Sequence, residues 1–358
     1  MQPVRILIVD DSAVVRKVLS NMLASDPEIV VAGTAGNGHL ALARIPDLKP
    51  DLITLDIEMP GMDGLETLVE IRKFYPKLPV IMFSTLTERG AAATLDALTR
   101  GASDYVTKPS HESAEVSQER VREELLRKIK SLCAVRMPQP RPGPAKVSVP
   151  TRTGAIPARI DVVAIGTSTG GPNALTTLIP QFPADFPVPI VIVQHMPPLF
   201  TRLFAERLNT LARLAVREGE EGRKLQRGEV WIAPGDRHMT VARKETGFVL
   251  GTNQEAQENS CRPAVDVLFR SVAQAFGANV LGVVLTGMGA DGTRGSAEIR
   301  GAGGEVIVQD EASSVVWGMP GSVVAASLAD RIFPLAGMAA EVVRRVSMRR
   351  ALASAARP

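Results

Sequence analysis

Short apolar runs recur through the first hundred residues, and helix-type segments separate them. The runs are Ile6–Val9, Ile29–Thr34, Leu52–Leu55, Val80–Ser84 and Asp104–Thr107. Because apolar residues fill nearly every position of these runs, rather than every second one, the pattern is typical of strands in a parallel sheet covered by helices on both faces. We therefore predict a five-stranded α/β unit, followed by a charged amphipathic helix over residues 114–135.

A proline-rich segment without acidic residues comes next, from Arg136 to about Pro157, and its composition is typical of an extended, exposed linker. Apolar runs then resume, which predicts a second α/β unit. Within it, residues 229–241 indicate an antiparallel hairpin that turns at Pro234-Gly235-Asp236. The strand-like runs of this second unit are Asp161–Ile165, Val188–Val193, Val280–Thr286 and Glu305–Val308.

The length of the chain agrees with two domains, and its charge distribution disfavours nucleic-acid binding. A chain of 358 residues exceeds the size of most single cores. The net charge of +3 is concentrated in the connector, because residues 136–160 carry five basic and no acidic side chains, whereas residues 1–135 carry 16 basic and 19 acidic ones. A general nucleic-acid-binding face is therefore disfavoured.

Cysteine usage and hydropathy predict a cytoplasmic protein. Cys133 and Cys261 are too isolated for a disulfide framework or a metal site, so we expect reduced, structural thiols. The N-terminus has no signal-peptide pattern, and no apolar run reaches the roughly 18 residues of a membrane span. We expect no membrane insertion.

Several charged and polar residues of the first unit follow strand-like runs. Asp10 and Asp11 follow the first run, Asp56 the third, and Ser84 and Lys108 end later ones. Because ligands of open parallel sheets bind at the carboxyl ends of the strands, these side chains should converge. Such a set suits Mg²⁺ and a phosphoryl group. Taken singly, each aspartate could instead cap a helix, and the lysine could be solvated.

These residues resemble the receiver domain of two-component response regulators. The resemblance rests on Val9-Asp-Asp-Ser12, the run Asp51–Gly64, Ser84-Thr85 and Lys108-Pro109. It implies a flavodoxin-like receiver domain over residues 1–125, phosphorylated on Asp56 by a partner histidine kinase. It also implies a cis Lys108–Pro109 bond, Mg²⁺ as cofactor and specific roles for site residues. These are Asp10, Asp11, Asp56 and the Glu58 carbonyl for the metal, and Ser84, Tyr105 and Lys108 for the switch.

A glycine- and hydroxyl-rich turn opens the second unit at Gly166-Thr-Ser-Thr-Gly-Gly171. It lacks the lysine of a P-loop, because Pro172 stands in that place, and it lacks the middle glycine of the dinucleotide fingerprint. The turn does match Gly-x-Ser-x-Gly, in which a serine nucleophile lies between a strand and a helix. Ser168 is therefore a candidate nucleophile.

A base and an orienting carboxylate are also available at predicted strand ends. His195 follows a strand-like run 27 residues after Ser168, about the length of one crossover, and a neighbouring strand would bring the two residues together. Asp291 lies on the glycine-rich turn after Val280–Thr286 and could orient the histidine. A helix cap remains an alternative role for Asp291.

This second unit resembles the catalytic domain of chemotaxis protein-glutamate methylesterases. The matching motifs are Ile165–Pro172, Val193-Gln-His-Met-Pro197, Ile232-Ala-Pro-Gly235, Leu285–Gly292 and Gly318-Met-Pro320. The resemblance implies a Rossmann-like esterase domain with the antiparallel hairpin over residues 158–350, joined to the receiver through residues 126–157. Ser168, His195 and Asp291 would be catalytic, with backbone N–H groups near Ser168 and Met288 binding the oxyanion and Thr169 supporting the geometry.

The resemblance also implies the substrate and the partners. A monomeric enzyme without a cofactor for the ester reaction would hydrolyse glutamate γ-methyl esters, and deamidate glutamines, on chemoreceptor cytoplasmic helices. We expect the unphosphorylated receiver to cover the Ser168 edge and phosphorylation of Asp56 to release it. The alternative is a phosphorylation-controlled binding module without catalysis.

Overall fold

The computed structural model describes the backbone of residues 2–108, 114–134 and 159–355, and the side chains of residues 2–108, 118–133 and 159–348. The chain forms two compact units, residues 1–140 and 141–358. The Lys108–Pro109 bond and almost all of the expected linker lie outside the described residues.

The first unit is a parallel five-stranded sheet with strand order β2-β1-β3-β4-β5. All five predicted strands are confirmed. The strands are β1 (Val4–Val9), β2 (Ile29–Ala35), β3 (Leu52–Asp56), β4 (Val80–Ser84) and β5 (Asp104–Thr107). The helices are α1 (Ala13–Ala24), α2 (Gly38–Leu48), α3 (Gly64–Phe74), α4 (Glu88–Thr99) and α5 (Ala114–Ala134). Strands β3 and β4 are buried at every position, as their continuous apolar runs predict. This order, with the switch point between β1 and β3, is the flavodoxin-like doubly wound topology.

The second unit is built on a seven-stranded parallel sheet of order β14-β13-β12-β6-β7-β9-β8. Its strands are β6 (Val162–Thr167), β7 (Ile190–Gln194), β8 (Ala215–Glu218), β9 (Glu229–Ile232), β12 (Val280–Val284), β13 (Glu305–Gln309) and β14 (Arg331–Phe333). Its helices are α6 (Gly171–Leu178), α7 (Pro198–Leu211), α8 (Val265–Phe276), α9 (Thr293–Gly301), α10 (Gly318–Ala325) and α11 (Leu335–Ala355). The predicted α/β class is confirmed. The short, partly exposed edge strands β8 and β14 have no continuous apolar run, and the sequence pattern did not predict them.

An antiparallel hairpin is present, but its predicted position was wrong. Strand β9 pairs in parallel with β7 and β8 instead of turning back at Pro234. The antiparallel pair is β10 (His238–Lys244) with β11 (Gly247–Asn253), in a sheet of their own. The apolar side chains of β9 are buried in the parallel sheet, and this burial outweighs the local turn signal.

The register of the central strands aligns the ends that carry the candidate site. Thr167 at the end of β6 pairs with Gln194 at the end of β7, so Ser168 and His195 are the next residues on neighbouring strands. On the other side, Gly166 pairs with Val284 of β12, which leads into the turn that carries Asp291. Among the residues that the structure describes, no helix combines the length and apolar character needed to cross a membrane.

Candidate active site

The turn that carries Ser168 is fixed by hydrogen bonds to its backbone. Ser168 N–H donates to the Thr286 carbonyl at 3.1 Å. The Ser168 carbonyl accepts bonds from Gly171 N–H at 2.7 Å and from the Gln194 side-chain amide at 3.1 Å. The serine is half-buried in the turn between β6 and α6, as the strand–turn–helix pattern predicts.

The glycines of this turn allow close packing. A Cβ at Gly171 would lie 2.0 Å from Gln194 Oε1, so only glycine fits beside the amide that holds Ser168. A Cβ at Gly287 would lie 2.3 Å from Met319 Sδ and 3.0 Å from Ser168 Cβ. The loop after β12 therefore lies directly against Ser168 and brings half-buried Met288 to the same edge.

His195 and Asp291 form the hydrogen bond that the sequence predicted. His195 Nε2 lies 2.8 Å from Asp291 Oδ2, and the side chains are 14% and 2% exposed. Burial lowers the pKa of His195, but the Cys261 sulfur and the Asp291 carboxylate raise it by more, because both stabilise the imidazolium. Burial raises the pKa of Asp291, while His195 and the N–H groups of Val265 and Asp266 lower it by more. The pair is therefore built to keep Asp291 ionised beside the imidazole.

The other ring nitrogen of His195 contacts a cysteine. Nδ1 lies 3.6 Å from Cys261 Sγ. Within the described part of the chain, no hydrogen bond joins Ser168 Oγ to the His195 ring. The two strand ends are joined through the backbone instead, where His195 N–H donates to the Thr167 carbonyl at 3.4 Å. Cys261 is a free thiol, as expected, but its contact with His195 was not predicted, because no sequence pattern links the two residues.

Asp291 also caps a helix, although not the one that follows it. Its Oδ2 accepts from Val265 N–H at 2.7 Å and its Oδ1 from Asp266 N–H at 3.0 Å, which are the first two residues of α8. Helix α8 has no side-chain cap from its own N-cap residue, Ala264. The two roles that the sequence left open for Asp291 are thus combined in one side chain, and the positive end of α8 favours its charge.

Sequence reasoning missed three residues around these groups. Gln194 ties the Ser168 and His195 carbonyls together, at 3.1 and 3.2 Å, and it directly precedes His195 within a motif that we quoted. Asp266 and Asn259 lie beside Asp291, and no sequence pattern links them to it across 25 and 32 residues. A second histidine of this unit, His238 of β10, is buried and bonded to the Ala256 carbonyl and to Ala264 N–H.

The acidic residues of the first unit converge as predicted. Asp10, Asp11 and Asp56 each place one carboxylate oxygen within 4.8 Å of the others. Lys108 Nζ lies 3.2 Å from Asp10 Oδ2 and 2.8 Å from Asp56 Oδ2. The alternative roles are not observed, because Ser12 caps α1 and the Lys108 side chain is 20% exposed.

This cluster has the donor set of a Mg²⁺ site. Burial and, to a smaller extent, the charge of Asp10 raise the pKa of Asp56 to about 6, against the lowering effect of Lys108. Crowded carboxylates of this kind favour a bound cation. Apart from the Lys108 ammonium at 3.2 Å, buried Asp10 Oδ2 has no hydrogen-bond donor among the described residues, which leaves it available as a ligand.

The two expected switch residues differ in their surroundings. Ser84 Oγ bonds the Gly90 carbonyl at 3.1 Å and receives a bond from Thr94 Oγ1 at 2.7 Å, so α4 holds it. Tyr105 is buried, and Lys128 Nζ lies 5.0 Å from its ring centre.

Comparisons with known proteins agree with both units. The family model described as CheB methylesterase matches residues 163–342, and that of the response regulator receiver domain matches residues 6–118. A protein-glutamate methylesterase/protein-glutamine glutaminase of Trichodesmium erythraeum is 52% identical over 97% of this chain and all of its own length. A protein of the same name from Nocardioides is 50% identical over 98% of this chain and 97% of its own. The crystal structure of the Thermotoga maritima CheB methylesterase catalytic domain is 40% identical, with a TM-score of 0.51 over 52% of this chain and 99% of its own.

Proposed function

The chain belongs to the CheB methylesterase family, and we propose that it hydrolyses glutamate γ-methyl esters of chemoreceptors and deamidates receptor glutamines, under control of its receiver domain. The observation that carries the proposal is the 2.8 Å bond between His195 and Asp291 at the sheet edge where Ser168 lies. The near full-length relatives of that name support the same activity. The partners are the cytoplasmic helices of chemoreceptors and a histidine kinase, and the enzyme acts as a monomer in the cytoplasm.

Ser168, His195 and Asp291 perform the two halves of the reaction. Ionised Asp291 accepts a hydrogen bond from Nε2–H, so in the neutral imidazole that the reaction requires, Nδ1 is the basic nitrogen. When Nδ1 is within reach of Ser168, it takes the hydroxyl proton as Oγ bonds the ester carbon. The C–O bond to methoxide then breaks, and the imidazolium protonates the leaving group to methanol. Water hydrolyses the acyl-enzyme by the same proton transfers, and with a glutamine substrate the leaving group is ammonia.

The loops beside Ser168 supply donors for the developing oxyanion. In the described structure, the N–H groups of Gly170 and Met288 have no protein acceptor, and both residues flank Ser168. Thr169 is buried, and its carbonyl accepts a 2.9 Å bond from Thr286 Oγ1, which fixes the residue after the nucleophile. We assign these N–H groups to the oxyanion hole and Thr169 to its support.

The receiver regulates this chemistry through phosphorylation of Asp56. Asp10, Asp11, Asp56 and the Glu58 carbonyl would hold Mg²⁺, which neutralises charge on the phosphoryl group when bound. Lys108 contacts Asp56 directly and is placed to pair with the phosphoryl oxygens. Ser84 and Tyr105 would report the change through α4 and β5. In the unphosphorylated state the receiver lowers the esterase rate, and phosphorylation shifts the population towards active enzyme.

The decisive test replaces the nucleophile. Ser168→Ala should abolish methanol release from methylated receptor membranes, with a loss of about 10⁶-fold in kcat as for other triad serines. Thr177→Ala is the matched control, because this exposed hydroxyl bonds only within α6. Retained activity in Ser168→Ala would refute the triad.

A serine-directed phosphonate separates the enzyme from a binding module. Covalent labelling of wild-type protein that is absent in Ser168→Ala supports the esterase. Absence of labelling in both proteins supports the module.

A further inference from the structure

Two buried carboxylates lie side by side behind the base. Asp291 and Asp266 are both 2% exposed or less. Asp291, just before α9, caps α8 through Val265 N–H, whereas Asp266, in the first turn of α8, caps α9 through Gly295 N–H at 2.7 Å. Helix α8 is therefore capped by the residue just before α9, and α9 is capped by a residue of α8. This reciprocal capping positions Asp291, but it also brings two buried carboxylates close together.

One side-chain amide lies between these carboxylates. Asn259 Nδ2 is 2.8 Å from Asp291 Oδ1 and 2.9 Å from Asp266 Oδ2. An amide nitrogen carries two N–H bonds, so each carboxylate receives one. Among the described residues, the other donors to these two carboxylates are backbone N–H groups, apart from the His195 ring.

The backbone conformation of a tight turn places the Asn259 side chain between the two carboxylates. Residues 258–261 form a tight turn in which Asn259 and Ser260 have φ angles of 53° and 59°. Glu258 and Cys261 bond each other in both directions across the turn, at 3.2 and 2.9 Å. Asparagine tolerates this left-handed conformation better than most residues. Arg270 of α8 pairs with Glu258 and ties the turn to the helix that Asp291 caps.

We propose that Asn259 is a positioning residue of the esterase, which fixes Asp291 against His195 and allows both neighbouring carboxylates to remain ionised at neutral pH. The inference rests on the proposed esterase function. Asn259 does not touch the reacting atoms and acts through Asp291.

The proposal predicts a change in pH dependence. The pKa of Asp266 is raised, first by burial and also by the charge of Asp291, while the bonds from Gly295 and Asn259 lower it. Loss of the shared amide leaves two close carboxylates with fewer donors, so the pair should retain a proton to higher pH. Among the other charged or titratable groups, His195 bonds Asp291 and Arg270 interacts with Asp266. Cys261 contacts His195, and Glu258 and Glu298 interact with Arg270.

The test compares two variants of the full-length protein. Asn259→Gly removes the amide and tolerates the positive φ, and Asn259→Asp keeps the shape but replaces the donor with a third carboxylate. Methanol release should show a fall in kcat of about 10- to 100-fold for Asn259→Gly, the loss expected for one hydrogen bond to a charged group. KM should change little, and the acidic limb of the kcat profile should move to higher pH. Asn259→Asp should show larger changes in the same directions.

Ser260→Gly is the control, because it changes the neighbouring residue of the same turn, and Ser260 makes no hydrogen bond to either carboxylate. A normal kcat and acidic limb in Asn259→Gly would overturn the role of Asn259, as would equal losses in Ser260→Gly. Ser168→Ala is measured in parallel. If it remains active, the esterase mechanism fails. If it is inactive while Asn259→Gly is normal, only the inference about Asn259 fails.

Discussion

The two units carry their polar residues at the same place, the carboxyl edge of a parallel sheet, yet the residues differ in how their charges are satisfied. In the receiver, two of the three clustered carboxylates, Asp10 and Asp56, share the Lys108 ammonium, and Asp11 is exposed to solvent. In the esterase unit, both oxygens of Asp291 are filled by protein N–H groups. Carboxylate oxygens that receive few hydrogen bonds from the protein can bind a cation and accept a phosphoryl group. A carboxylate whose oxygens both accept protein hydrogen bonds can only orient its neighbour. The sheet topology thus brings the polar side chains to one edge, and the number of hydrogen-bond donors around each carboxylate determines which chemistry it supports.

Among the variants that test this comparison, we expect the largest effect at Asp291, the carboxylate whose oxygens both accept hydrogen bonds. Asp291→Asn should lower kcat about 10⁴-fold, because the amide cannot support the imidazolium. The Asp291 carboxylate raises the pKa of His195, so its loss should move the acidic limb of the residual activity to lower pH. Methanol release between pH 5 and 9 measures both changes.

Asp185→Asn, at an exposed position, serves as the control for Asp291→Asn. If Asp291→Asn retained more than about a tenth of the wild-type rate, another group would have to orient the base.

A smaller effect is expected from the Gln194 amide, which bonds the carbonyls of Ser168 and His195. Gln194→Ala removes the donor to the Ser168 and His195 carbonyls, and we expect kcat to fall up to about 100-fold, with unchanged phosphorylation of the receiver. Gln181→Ala is the matched control, since that exposed amide bonds only the Thr177 carbonyl of its own segment. Equal rates for the two variants would mean that strand pairing alone holds the site.

The smallest expected effect concerns the unsatisfied carboxylates. Asp56→Asn should abolish stimulation of methanol release by acetyl phosphate, a coupling expected to be about tenfold in the wild type. The rate of the unphosphorylated wild-type protein should persist in the variant, because Asp56 belongs to the other compact unit. Stimulation of Asp56→Asn to the wild-type level would show that the acceptor is a different residue.

Prediction from the sequence succeeded where one local signal decided the outcome. Buried parallel strands carry continuous apolar runs, so β1, β3, β4, β6, β7 and β12 were predictable, and the residues after them could be assigned to one edge. The predicted position of the hairpin was wrong because Pro234-Gly235-Asp236 forms a turn whether β9 pairs with β10 or with the parallel sheet. Pairing partners of β9 and β10 depend on side-chain burial across the whole sheet.

The sequence by itself determined the two α/β units, the acidic cluster with Lys108, and the serine, histidine and aspartate of the second unit. Each of these depends on a residue type at a strand end, and strand ends are local features. Only the tertiary structure decided that Asp291 caps α8, that Asp266 caps α9 in return, and that Asn259 lies between them. These contacts join residues 25 to 32 positions apart through the packing of two helices and a turn, and no short-range pattern encodes that packing.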